Sequence, residues 1–177
     1  MTDDFILFGK IQNGDIEAFE QLFRRYHVRM CAYAAGITGR FDTAEDAVQD
    51  VFYGIWKNRA NLHVSISASG YLYRAVRNQS LRYIEEMQIG ETPDFTTPDS
   101  DSTPQEQLEY AELERIIEQT IAQMTERMQQ IFGLYRNERL KYAEIANRLN
   151  VSVKTVEADM TKAYAQLRRA TEKYLRN

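Results

Sequence analysis

The sequence predicts an all-α protein: two small helical domains joined by a flexible acidic linker. Three observations carry this reading. Apolar residues recur at three- and four-residue spacing through each long segment. No segment of any length alternates with period two, so no sheet is predicted. All three prolines, Pro93, Pro98 and Pro104, fall within GETPDFTTPDSDSTPQ, whose Ser, Thr and Asp content buries too little surface to order itself. Residues 91–104 therefore read as a linker between a lobe of residues 1–90 and a lobe of residues 105–177.

The elements follow in order. Ile16, Phe19, Leu22, Phe23, Tyr26 and Met30 share one helix face, with Asp15 as N-cap after the Gly14 breaker. TAEDAVQDVFYGIWKN puts Ala44, Ala47, Val48, Val51, Phe52 and Ile55 on a second stripe, with Thr43 as its expected cap. A polar loop around Asn61–Ser69 leads to a third helix over Gly70–Met87. Beyond the linker, helices are expected over Gln105–Gln123 and, capped by Thr125, over Thr125–Asn137. A final pair spans Tyr142–Leu149 and Val153–Tyr174.

Composition excludes several classes of function. At 177 residues and 44% apolar, the chain has ample material for packed cores. Cys31 stands alone, which rules out an internal disulfide, fits a reducing cytosol and reads as a buried structural thiol. His27 and His63 are far apart and lack partner cysteines, so neither a metal site nor a cofactor is expected. There is no Gly-rich phosphate loop, nucleophile elbow or triad spacing, and the chain reads as a non-enzyme. The acidic start precedes no long apolar run, and the Cys31–Ile37 run falls well short of the ~20 residues of a membrane span. The expectation is a cytoplasmic protein.

The net charge of −4 conceals an uneven distribution. Residues 1–90 hold 10 Lys and Arg against 11 Asp and Glu, residues 91–125 hold 1 against 9, and residues 126–177 hold 11 against 6. The acidity is concentrated in the middle, and the tail is basic.

That tail contains YAEIANRLNVSVKTVEADM, which has helix-turn-helix spacing. Ala146 allows close helix approach, Asn150 suits a left-handed turn, and Ser152 is placed to cap the second helix. The competing reading is an ordinary αα-hairpin. At about 100° per residue, Val153, Val156, Met160, Ala163 and Leu167 turn inward. Lys154, Thr155, Ala158, Thr161 and Lys162 turn outward, a small, hydroxylated and basic surface suited to the DNA major groove. Glu157 and Asp159 fall on the flanks, where Arg148 or Lys162 could pair with them. A flank acid accepting from a cytosine amino group is the alternative. Arg168, Arg169, Lys173 and Arg176 extend the positive charge toward phosphates.

In the third helix, Leu72, Ala75, Val76 and Tyr83 face one way, and Arg74, Arg77, Asn78 and Arg82 another, with Tyr71 and Tyr73 near its start. Interleaved basic and aromatic residues suit single-stranded nucleic acid. A solvated basic face over a tyrosine-bearing core is the plainer alternative.

Taken in order, AEDAVQDVFYGIWKN, GYLYRAVRN and RMQQIFGLYRNERLKYAEIANRLNVSVKTVEADMTKAYAQLR resemble the extracytoplasmic-function sigma factors of bacteria, over about residues 5–175. Tyr-Leu-Tyr-Arg-Ala-Val-Arg-Asn resembles their Bacteroidetes branch. The resemblance implies a two-domain promoter-specificity subunit of RNA polymerase that recognises −35 and −10 elements and promotes melting. It implies three kinds of partner: polymerase core (the beta-prime clamp and beta flap), promoter DNA, and an anti-sigma factor, commonly membrane-anchored. Asp46, Gln49, Asp50 and Phe52 match the core-docking helix; their acids form a face beside an apolar ridge. Tyr71, Tyr73, Arg74, Arg77, Asn78 and Arg82 match the −10 reader, and the Asn61–Ser69 loop matches the base-capturing loop. Lys154, Thr155, Ala158, Thr161 and Lys162 match the −35 reader.

The chain also departs from the family pattern. Met124-Thr125 replaces a frequent Leu-Pro, Asn150 a frequent Gly, and Asp159 a residue commonly neutral or basic, so no −35 sequence carries over. Two other readings stand beside this one: a stand-alone helix-turn-helix regulator and an all-helical interaction adaptor. Both leave part of the pattern unused.

Overall fold

A computed structural model describes residues 3–64, 67–87, 95, 97, 98 and 103–174. Among these, eight α-helices account for the regular structure, with two short 3-10 turns and no strand. The helices are α1 (Asp3–Gln12), α2 (Ile16–Thr38), α3 (Phe41–Lys57), α4 (Ala68–Met87), α5 (Pro104–Ala122), α6 (Glu126–Glu138), α7 (Tyr142–Leu149) and α8 (Val153–Thr171). Most of the 91–104 segment lies outside the described residues.

The caps follow sequence chemistry. Asp15 accepts from the Ala18 N–H at 3.0 Å, Thr125 from Met128 at 3.4 Å and Ser152 from Thr155 at 3.1 Å, each satisfying a first-turn donor. Gly39 at φ 73° ends α2 in the left-handed conformation. Two boundaries differ from expectation. Helix α3 begins at Phe41, and Thr43 is buried within its first turn; its N–H is instead taken by Asp42 Oδ1 at 2.9 Å. Thr103 and Pro104, counted as linker, form the start of α5. Thr103 and Glu106 make a reciprocal capping box, with Pro104 at the first helical position.

Helix α1 was not expected from sequence. It buries Leu7, Phe8 and Ile11, and Asp4 accepts from the Tyr26 hydroxyl at 2.7 Å and pairs with Arg25. Helices α2, α3 and α4 enclose the first core, around Leu22, Met30, Val48, Val51, Phe52, Ile55, Leu72 and Val76. In the second half, α5 to α8 bury Leu113, Ile117, Ile131, Ile145, Val156 and Leu167.

The two cores are continuous. Helix α8 crosses α2, and the Phe41 and Tyr164 rings stack at 3.8 Å between centroids. Glu45 of α3 accepts from the Tyr135 hydroxyl of α6, and Arg29 of α2 pairs with Glu118 and lies 3.9 Å from Glu114, both on α5. The lobes read from the sequence are thus packed face to face.

Candidate nucleic-acid interface

The helix-turn-helix is built as its sequence requires. Asn150 sits at φ 53° and ψ 46°, and the Val151 N–H closes the turn on the Ala146 carbonyl at 3.0 Å. Ile145, Ala146, Val156, Met160, Ala163 and Leu167 are buried beneath it. Val153, expected on this inward stripe, is instead 40% exposed. It is the first residue of α8, and the packed stripe begins one turn later at Val156.

Lys154, Ala158, Thr161 and Lys162 are exposed, and Thr155 is half-buried beside the Ser152 hydroxyl. The five residues line one face of α8. Asp159 lies off that face. It is 4% exposed, and its carboxylate takes Arg127 Nε at 2.6 Å and Nη2 at 3.3 Å from α6. Neither Arg148 nor Lys162 is its partner; Arg148 pairs with Glu138. A forked guanidinium satisfies both carboxylate oxygens, so Asp159 adds no uncompensated negative charge beside the exposed face of α8. Glu157 is exposed on the other flank and borders a cavity of about 600 Å³ with Arg40, Arg168 and Arg169.

On α3, Asp46 and Gln49 are exposed, as a docking face requires. The other two residues of the expected docking set are less open, Phe52 lying where its apolar stripe places it. Phe52 is 2% exposed and packs against Phe19 and Phe23 at 6.1 and 4.9 Å between centroids, because its helix position points into the core. Asp50 is half-buried; its Oδ2 accepts from the Tyr83 hydroxyl at 2.6 Å and Gln79 Nε2 at 3.3 Å, tying α3 to α4. Beside that carboxylate, burial and the hydrogen bond raise the Tyr83 hydroxyl above its usual range. Sequence reasoning missed Tyr53, 64% exposed, although its i+4 and i+7 spacing from Gln49 and Asp46 marks the same face.

On α4, the expected stacking tyrosines are core residues. Tyr71 is 6% exposed and meets Phe8 edge-on at 6.0 Å. Tyr73 is fully buried, edge-on to Tyr33 at 5.3 Å and stacked on Tyr110 of α5 at 5.0 Å. With α1, α2 and α5 around its first turns, α4 has no free side there, and the alternative of a tyrosine-bearing core holds for both rings. Burial pushes the Tyr71 hydroxyl up to about 12. Arg74 and Arg77 are half-buried, Asn78 is exposed, and Arg82 lies 3.7 Å from Glu86 one turn on. The Asn61–Ser69 loop is described except at residues 65 and 66, and His63 within it is exposed.

Cys31 and His27 form a buried pair, Sγ to Nε2 3.6 Å. Burial, then the Glu45 charge, raises the Cys31 thiol well above its ordinary value, which leaves it inert. Among the described residues no group of His, Cys, Asp and Glu is arranged to hold a metal ion, and no helix is long and apolar enough to cross a membrane.

These features define an all-helical protein with a helix-turn-helix that presents an exposed basic and hydroxylated face on α8, and with exposed Asp46 and Gln49 on α3. Residues 22–88 match Sigma-70 region 2, and residues 114–167 match Sigma-70, region 4. The ECF RNA polymerase sigma-E factor of Haemophilus influenzae is 26% identical over 174 residues, covering 90% of each chain. The RNA polymerase sigma-H factor of Pseudomonas aeruginosa is 23% identical over 184 residues, covering 96% of this chain and 94% of its own. Among solved structures, that of CnrH in complex with the cytosolic domain of CnrY covers 94% of this chain and 95% of its own, at 22% identity and a TM-score of 0.41. The chain belongs to the sigma-70 family, as a factor of the extracytoplasmic-function type. Its work is transcription initiation, with RNA polymerase and promoter DNA as partners.

Proposed function

We propose how the work is divided along the chain. Residues 1–90 carry core binding and −10 recognition, and residues 105–177 carry −35 recognition. Asp46, Gln49 and Tyr53 on α3 present polar and acidic groups to a basic partner helix of polymerase core. Arg74, Arg77, Asn78 and Arg82 on α4 engage the −10 strand as it leaves the duplex. Lys154, Thr155, Ala158, Thr161 and Lys162 on α8 enter the major groove at −35.

The single observation that carries this division is the α8 surface. Five small, hydroxylated or basic residues stand outward while Asp159 is turned in and neutralised by Arg127. A groove reader requires that arrangement; a bundle helix does not. The chain acts by binding and holding DNA apart, with no bond-making step of its own, and works in the cytoplasm, where polymerase is. An anti-sigma factor is a proposed further partner, since the docking and reading faces must be withheld from polymerase until needed.

The test is co-elution with polymerase core, followed by transcription from a genomic library. Co-elution with new start sites supports the proposal. Tight, specific DNA binding without core, and no co-elution, supports a stand-alone regulator instead.

A further inference from the structure

Between the end of α2, the start of α3 and the length of α8 lies the cavity of about 600 Å³, a volume typical of small-molecule sites. Its floor is apolar and aromatic. Ala35, Met160 and Tyr164 are buried there, and the half-buried Phe41 and Tyr142 form the sides. Tyr164 keeps a buried hydroxyl with no hydrogen-bond partner. The mouth is charged. Arg40, Arg168 and Arg169 stand around it with Glu157 and Glu172, all five exposed, which leaves three guanidiniums against two carboxylates. Asp42 already holds Arg40 through a fork at 3.1 and 2.6 Å. Arg168 and Arg169 differ: among the described residues no carboxylate lies within ion-pair distance of either. Arg168 also reaches across the mouth, since a Cβ on Gly39 at the end of α2 would lie 3.9 Å from its Nη2.

An apolar floor beneath two unpaired guanidiniums suits a molecule with a flat ring at one end and a negative charge at the other. We propose that the cavity binds a small aromatic anion, a carboxylate, sulfonate or phosphate, with its ring against Met160 and Tyr164 and its charge on Arg168 and Arg169. The site has a consequence for assembly. Its opposite walls come from different halves, α2 and α3 on one side and α8 on the other, so an occupant ties the halves together. A ligand that binds only the closed chain opposes any partner that binds it open. Polymerase core, gripping α3 and α8 at separate places, is such a partner. This second step rests on the division of work proposed above.

The experiment titrates the full-length chain with naphthyl phosphate by calorimetry, with naphthol and inorganic phosphate as controls. A single site is expected, at least about tenfold tighter than either control, because a charge-assisted contact is added to the buried ring. Arg168→Gln combined with Arg169→Gln removes the charge. Ala165→Trp, at an exposed position bordering the cavity, fills the space. Each change should weaken binding at least about tenfold with helix content unchanged. No binding by the parent, affinity no better than the controls, or an affinity that either variant leaves intact overturns the site. Core polymerase is then titrated with the chain, with and without saturating naphthyl phosphate. A weaker affinity for core in its presence, not seen with Ala165→Trp, supports the exclusion, and an unchanged one overturns it. Failure to bind core without the ligand would instead tell against the division of work, so the two failures are distinguishable.

Discussion

The Asp159 carboxylate of α8 is held by the Arg127 guanidinium of α6 through two hydrogen bonds, and only the arginine faces solvent: its side chain is 53% exposed against 5% for the aspartate. The asymmetry decides what each substitution does. Arg127→Ala leaves a buried carboxylate without its donor, and an unpaired buried group costs about 1–3 kcal/mol. Asp159→Ala leaves an arginine that water can solvate, so thermal unfolding should place it nearer the parent. Promoter selection with Asp159→Ala should return the parent's −35 preference. A changed preference at one base pair would mean that the acid reads DNA.

On the docking face, Asp46→Lys and Gln49→Lys should weaken core binding at least about tenfold with the melting temperature unchanged, since both side chains are exposed. Asp50→Lys should also lower the melting temperature, because Tyr83 and Gln79 lose their acceptor. Equal effects of all three substitutions on stability would refute the distinction.

For the groove, Lys154→Ala and Lys162→Ala separate reading from positioning. A base contact relaxes preference at one position; a phosphate contact lowers affinity uniformly and reduces the salt slope by about one unit. Each lysine is expected to show one of these two patterns in a binding titration across salt. Unchanged affinity in both would count against α8 as the groove helix.

Stability should depend on His27. Burial, then the neighbouring Arg139 charge, lowers its imidazole from 6.5 to about 4. It sits beside Phe23 and Cys31 on α2 and faces Tyr135 of α6, so both unfolding and separation of the halves release it. Because the folded-state value is depressed, the open or unfolded chain takes up the proton first, between about pH 6.5 and 4. Stability is therefore full above 6.5 and falls by up to about 3 kcal/mol as pH drops through that window. Denaturant titrations at pH 7 and 4.5 should show the fall, and His27→Leu should flatten it. A parent curve flat over the window would contradict the assignment.

How much of this was legible in the sequence depended on range. The helix pair of α7 and α8, its Asn150 turn and its Ser152 cap are local, and each followed from neighbours within a few residues. Periodicity put Asp159 on a flank of α8 toward the neighbouring helices, where it lies, but its partner Arg127 is on another helix, beyond the reach of any periodicity. Tyr71 and Tyr73 misled because an aromatic beside arginine reads the same in a nucleic-acid face and in a core; only the packing of α1, α2 and α5 decides. Gly54 carried no signal at all. In the fold its bare Cα is covered by the Phe95 ring, and a Cβ there would run into that ring.

The most direct measurement places spin labels at Gln21→Cys on α2 and Gln166→Cys on α8, both exposed, and reads the distance by pulsed electron resonance with and without polymerase core. Cys31 is fully buried and remains unlabelled. The free chain should give one short, narrow distribution, as the packing of α8 across α2 requires. Adding core should replace it with a longer one. A distance that core leaves unchanged, or a free chain already extended, would contradict the account of a factor closed in isolation and opened on polymerase.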